Sequence, residues 1–109
     1  MSRVSVSEKF QQCQAEGRSA FITFITAGYK QRGDTVPLMM SLQEGGADII
    51  ELGIPFSDPQ ADGPTIQKAH QVGVDQGISL GDVLSMVKEA REQGLIVPVV
   101  LMGYIVIRN

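Results

Sequence analysis

The sequence predicts an α/β fold built on a parallel sheet, and two observations carry that expectation. Three apolar, β-branched runs stand out: AFITFITAG from Ala20, ADIIELGIPF from Ala47 and VPVVLMGYIVI from Val97. Each is too short and too continuous for an amphipathic helix, and reads as a strand buried on both faces. Helical patterns fill the intervals between them. Strand, helix, strand, two helices, strand is a βαβ series, whose parallel strands take right-handed crossovers.

The elements follow in order. A short helix precedes the first strand, with Ser7 as its N-cap and Gly17 just past its end. The first strand falls near 20–26. A second helix runs from about Asp34 to Glu44, because Asp34 can cap it, Pro37 is tolerated in a first turn, and Gly45–Gly46 stops it. The second strand falls near 48–53. A third helix begins around Pro64–Thr65 and fades before Gly77. The clearest helix follows: Ser79 and Asp82 form a capping-box pair, Val83, Leu84, Val87 and Ala90 supply an apolar face, and Gly94 ends it. The third strand falls near 97–103. Met39, Met40, Met86 and Met102 fit core packing.

Composition narrows the function classes. The chain has 109 residues, 43% hydrophobic, which argues against disorder. Nine basic and twelve acidic residues are interleaved, as in Lys88, Glu89, Arg91 and Glu92, so the basic stripe that a nucleic-acid partner needs is missing. No apolar run approaches the length of a membrane span, and the start, MSRVSVSEKF, lacks the apolar core of a secretion signal. A single cysteine, Cys13, cannot make an internal disulfide, and a reducing cytoplasm is the expectation. One unbroken unit, 1–109, is expected.

The interval after the second strand is the longest, and chemistry in α/β sheets sits beyond the carboxyl ends of strands. The segment there reads Glu51-Leu-Gly-Ile-Pro-Phe-Ser-Asp-Pro-Gln-Ala-Asp62-Gly-Pro-Thr. Glu51 lies inside an apolar strand, flanked by Ile49, Ile50, Leu52 and Ile54. A desolvated carboxyl of that kind can give and take a proton near neutral pH. Asp62 lies in a loop stiffened by Pro55, Pro59 and Pro64, where it stays ionised and can accept a hydrogen bond from a substrate N–H. Two carboxyl groups in unlike environments divide acid and base roles between them. The same residues admit a structural reading, in which Glu51 is salt-bridged to a core Arg or Lys and Asp-Gly-Pro is turn chemistry. Asp58, in Ser-Asp-Pro, reads as a turn-former. His70, the one histidine, reads as a surface or packing residue. Nothing has metal-ligand spacing.

The segment GGADIIELGIPFSDPQADGPTIQ strongly resembles the signature of the tryptophan synthase α chain family, and Phe21-Ile-Thr-Phe-Ile-Thr-Ala-Gly28 resembles that family's first barrel strand. The resemblance covers about residues 8–104. It implies the N-terminal part of a (β/α)8 TIM barrel and a lyase of tryptophan biosynthesis. The reaction is retro-aldol cleavage of indole-3-glycerol phosphate to indole and glyceraldehyde 3-phosphate, with indole passing to a β unit for condensation with serine. It also implies roles. Glu51 becomes the proton-transfer residue and Asp62 the contact to the indole nitrogen, with Phe24 and Tyr104 lining the substrate pocket. The loop around Pro55 and Asp58 faces the partner β unit, separate or fused in one chain. No cofactor is implied for this segment, since pyridoxal phosphate belongs to the β unit.

Three departures from the family pattern carry expectations. Gln60 stands where an aliphatic residue is usual, and Lys30 where proline is common. After Met102-Gly103-Tyr104 the family continues Tyr-Asn-Pro, whereas this sequence runs Ile105-Val-Ile-Arg-Asn109. A complete barrel of this type needs about 250 residues, so five strands and the later phosphate-binding loops are expected to be missing. The isolated chain is then expected to be inactive, with an unpaired apolar edge at Ile105–Ile107. The alternative reading is a truncated, non-catalytic segment that binds a β unit or the rest of a barrel.

Overall fold

The computed structural model describes residues 3–55 and 77–103. Its first helix, α1, spans Val6–Ala15 and is capped by Ser5, whose Oγ accepts from the Glu8 amide at 3.1 Å. Ser7, the expected cap, lies inside the first turn. The physical reason is spacing: Ser5 and Glu8 stand three apart, the N-terminal signature that places the cap two residues earlier. Gly17 follows the helix with φ +70, as expected of a left-handed terminator.

Strand β1 spans Ile22–Thr26, a 3₁₀ turn spans Arg32–Asp34, and helix α2 spans Thr35–Glu44. Asp34 holds the N-cap position of α2, yet its side chain makes no capping bond. The 3₁₀ turn feeds directly into the helix and leaves Asp34 with helical φ and ψ of −85 and −20, whereas a capping side chain needs extended backbone. Pro37 sits in the first turn, and Gly45 and Gly46 end the helix. Strand β2 spans Ile49–Gly53, helix α3 spans Leu80–Glu92, and strand β3 spans Val99–Met102. The capping box of α3 forms as expected: Ser79 Oγ accepts from the Asp82 amide at 3.1 Å, and Asp82 accepts from the Ser79 amide at 2.9 Å. The expected helix from Pro64–Thr65, and His70 with it, lie outside the described residues.

The sheet has the order β1-β2-β3 and both pairings are parallel. Period-two alternation then sorts the side chains. Ile50 and Leu52 of β2 are fully buried and join Val36 and Met39 of α2 with Val83, Met86 and Ala90 of α3 in one core, with Ile25 and Val99 packed against it. Both helices therefore cover the same face of the sheet. The outer strands differ from the expectation of burial on both faces. Ile22, Leu101 and Met102 are exposed, because β1 and β3 each pair with a described strand on one edge only. Met102 accordingly is not a core residue, whereas Met39 and Met86 are, and the partly buried Met40 packs against that core.

Polar clamps hold the strands' N-terminal ends. Asp48, just before β2, is buried and takes Arg18 in a bidentate pair at 2.7 and 2.9 Å, with the Phe21 amide also donating at 2.7 Å. The Arg18 bonds hold the Asp48 carboxyl well below the usual carboxylate range, helped by the Phe21 amide. Burial pushes the neighbouring Cys13 thiol up. On the other side, Gln43 of α2 donates to the Gly94 carbonyl at 3.1 Å and accepts from the Ile96 and Val97 amides at 2.7 and 3.1 Å. Arg91 donates to the Leu95 and Val97 carbonyls.

The turn after β1 is fixed by Gly28, whose φ is +76 and whose added Cβ would lie 2.5 Å from Ile78 Cγ1. Its amide donates to Thr35 Oγ1 at 2.8 Å. Lys30 adopts φ +66, which proline's locked φ cannot reach, so this turn excludes the residue that the family resemblance leads one to expect there.

Two outcomes are expected. Asp48→Asn loses the ion pair and costs about 2 kcal/mol at pH 7, the worth of charged hydrogen bonds discounted for the half-exposed, water-screened Arg18. Because the folded carboxyl titrates below its unfolded value of about 3.9, that stability is present above about pH 4 and is lost as pH falls. Urea denaturation should thus show the gap between parent and variant closing below about pH 4. Gly28→Ala combines left-handed strain with a clash against Ile78, and should lower stability by about 2 kcal/mol or more in the same assay.

Candidate active site

The face of the sheet opposite the helices carries the candidate site. In-register partners on parallel strands share a face, so Phe24, Glu51 and Val100 form one row across β1, β2 and β3. The row beyond it, toward the strands' carboxyl ends, is Thr26, Gly53 and Met102, and the row before it includes Ile22 and Ile49. Glu51 is the middle residue of β2 and is partly buried, as is Phe24 beside it. Its neighbours Ile50 and Leu52 are claimed by the helix-side core, and a period of two leaves Glu51 no other face.

Glu51 enters none of the salt bridges among the described residues, which join Arg18 to Glu16 and Asp48, and Arg32 to Asp82. The structural reading, a strand Glu neutralised by a core Arg or Lys, is not realised there. Pro55 is buried directly after β2, and the Ile54 amide donates to the Met102 carbonyl at 2.8 Å, which carries the β2–β3 pairing up to the start of the acidic loop. Asp58, Asp62 and Tyr104 lie outside the described residues, as do Pro59, Gln60 and Pro64. The structure thus brings Phe24 and Glu51 together at one level.

Two features were missed by sequence reasoning. Asp48 sits within the recognised GGADIIELG segment, and a lone acid ahead of a buried strand is itself a signal that a cation must come to it. Thr26 is the other. It is 5% exposed and its Oγ1 has no hydrogen-bond partner. A polar residue closing an apolar strand was the available signal.

The described residues form three parallel strands with α2 and α3 on one face, and solved structures show this unit as the N-terminal part of a (β/α)8 barrel. A crystal structure of tryptophan synthase subunit alpha from Legionella pneumophila superposes with a TM-score of 0.88 at 41% identity, over 95% of this chain and 39% of that one. An aminoacrylate-bound form of tryptophan synthase from M. tuberculosis gives a TM-score of 0.84 at 36% identity, over 93% of this chain and 41% of that one. The sequence agrees. Residues 10–107 match the family described as tryptophan synthase alpha chain. The alpha chain of Azoarcus sp. (strain BH72) is 56% identical over 104 residues, 95% of this chain and 38% of its own length. Tryptophan synthase of Saccharomyces cerevisiae is 52% identical over 97 residues, 89% of this chain and 14% of its own length. The chain belongs to the tryptophan synthase alpha chain family. It spans about two-fifths of the alpha chains it matches. Among the described residues no helix is long and apolar enough to cross a membrane.

Proposed function

We propose that this chain supplies the proton-transfer part of a lyase that cleaves indole-3-glycerol phosphate to indole and glyceraldehyde 3-phosphate in tryptophan biosynthesis. The observation that carries the reading is Glu51: a carboxyl with no salt bridge among the described residues, at the centre of an apolar strand, on the face away from α2 and α3, in a chain of this family. Retro-aldol cleavage needs a proton delivered to indole C3, positive charge on the ring nitrogen stabilised, and the glycerol hydroxyl deprotonated. Glu51 is assigned the proton transfers, and Asp62 the ring nitrogen. Phe24, level with Glu51, offers a flat apolar surface to the indole, with Tyr104 assigned to the same pocket. The loop around Pro55 and Asp58 is assigned to contact with a tryptophan synthase β unit, which would receive the indole and condense it with serine using its own pyridoxal phosphate. Cytoplasmic action follows from this reading.

A second reading is favoured by the exposure of Phe21, Ile22, Leu101 and Met102 and by the pairing of β1 and β3, among the described residues, on one edge only. In it the chain is a non-catalytic segment that binds the rest of a barrel or a β unit. The chain alone should then release no glyceraldehyde 3-phosphate, and steady turnover by a monomeric preparation would overturn that reading.

The decisive substitution is Glu51→Gln in a full-length alpha chain carrying this segment. It keeps the shape and removes the titratable proton. Indole release should fall by about a hundredfold or more with KM nearly unchanged, the signature of a group acting in the transition state. Turnover within about tenfold of the parent would assign Glu51 to structure instead.

A further inference from the structure

We infer that Thr26 is a positioning residue for Glu51: its hydroxyl, which has no partner in this structure, donates to the carboxyl in the assembled site and fixes it for proton transfer. The inference rests on the proposed lyase reading and deepens it. Among the described residues two buried side-chain polar atoms have no partner, Thr26 Oγ1 and Arg91 Nε. Arg91 is already anchored, since its Nη1 donates to the Leu95 and Val97 carbonyls at 3.0 and 2.7 Å. Thr26 has no such second anchor, and a hydroxyl withdrawn from water without a partner is costly enough to call for an explanation.

Its location supplies one. Thr26 closes β1 on the face that carries Glu51, one row nearer the strands' carboxyl ends. Glu51 is its diagonal neighbour on the adjacent strand, about 4.8 Å across and two residues of about 3.3 Å along, which puts the two Cα atoms roughly 8 Å apart and within reach of a Glu side chain. The residue level with Thr26 on β2 is Gly53, which puts no side chain between the two. The backbone at this point is held: the Ala27 amide donates to the Gly53 carbonyl at 2.9 Å, and the Tyr29 amide to the Thr26 carbonyl at 3.2 Å. Among the described residues, a donor without an acceptor therefore stands one row from a carboxyl that enters no salt bridge, on two strands fixed in register. A hydroxyl can donate to a carboxylate or accept from a carboxylic acid, so it can hold Glu51 through both halves of a proton transfer.

The test uses a full-length hybrid alpha chain in which this segment replaces the matching part of the Azoarcus sp. relative. Thr26→Val, nearly isosteric, should lower kcat by about ten- to hundredfold, the worth of one hydrogen bond to a charged group, with KM and melting temperature little changed. Thr26→Ser should restore kcat to within about threefold of the parent, because it keeps the hydroxyl. Added to Glu51→Gln, the Thr26→Val change should lower the residual rate by much less than in the parent, since the two act as a unit. A full kcat in Thr26→Val, or a loss that Ser does not restore, overturns the inference. So does full additivity with Glu51→Gln. A hybrid in which Glu51→Gln leaves turnover intact overturns the lyase reading of Glu51 instead. If the parent hybrid shows no turnover, its crystal structure with a bound indole-3-glycerol phosphate analogue decides the geometry: Thr26 Oγ within hydrogen-bonding distance of the Glu51 carboxyl supports the inference, and the two turned apart overturns it.

Discussion

Strand β2 sets the rest of the structure. Both its edges are paired in parallel, to β1 and β3, and its residues Ile50 and Leu52 are fully buried under α2 and α3. Burial fixes the register, because a slip by one residue would turn Ile50 and Leu52 away from the helices and drive Glu51 into an apolar core. The position of the carboxyl is thus a by-product of hydrophobic packing on the other side of the strand. Nothing polar has to hold Glu51 in place along the chain. What remains to be controlled is its rotamer, and that is the task assigned to Thr26.

The polar devices are segregated by end. Arg18 with Asp48 and Phe21, Gln43 with Gly94, Ile96 and Val97, and Arg91 with Leu95 and Val97 all act where the strands begin. The Val4 amide adds a bond to the Ile96 carbonyl there. These side chains satisfy backbone groups at loop turns that burial would otherwise strand. Toward the other end, Gly28 brings the β1 turn against Ile78, and among the described residues the mid-strand carboxyl of Glu51 enters no salt bridge and the hydroxyl of Thr26 has no partner. Stability is concentrated at one end and chemical capacity at the other, the division expected of barrel folds.

The exposed apolar residues have a matching logic. Phe21, Ile22, Leu101 and Met102 belong to or adjoin the two outer strands, whereas β2 between them is covered. An open strand edge flanked by apolar side chains is a site for further strand pairing. In the solved alpha chains, whose length is more than twice the part matched here, the same three-strand unit is one part of a closed barrel.

The sequence by itself determined the strands, their parallel order, and the helices that separate the described ones. Continuous β-branched runs, glycine stops and the Ser79–Asp82 pair are local signals, and each acts within a few residues of its source. It also determined which family the chain belongs to, because the acidic segment after β2 is specific. Only the tertiary structure decided what depends on residues far apart in the chain. Asp48 finds Arg18 thirty residues away, and Gln43 finds the turn after α3. Met102 is left exposed by an edge that no local pattern reveals. The cap at Ser5 in place of Ser7 was legible and was misread; the silence of Asp34 was not, since it depends on the 3₁₀ turn that precedes α2. Thr26 is the clearest case. Threonine in a strand is unremarkable until the register sets it diagonal to Glu51 across a glycine, and register is a property of the assembled sheet and its buried face.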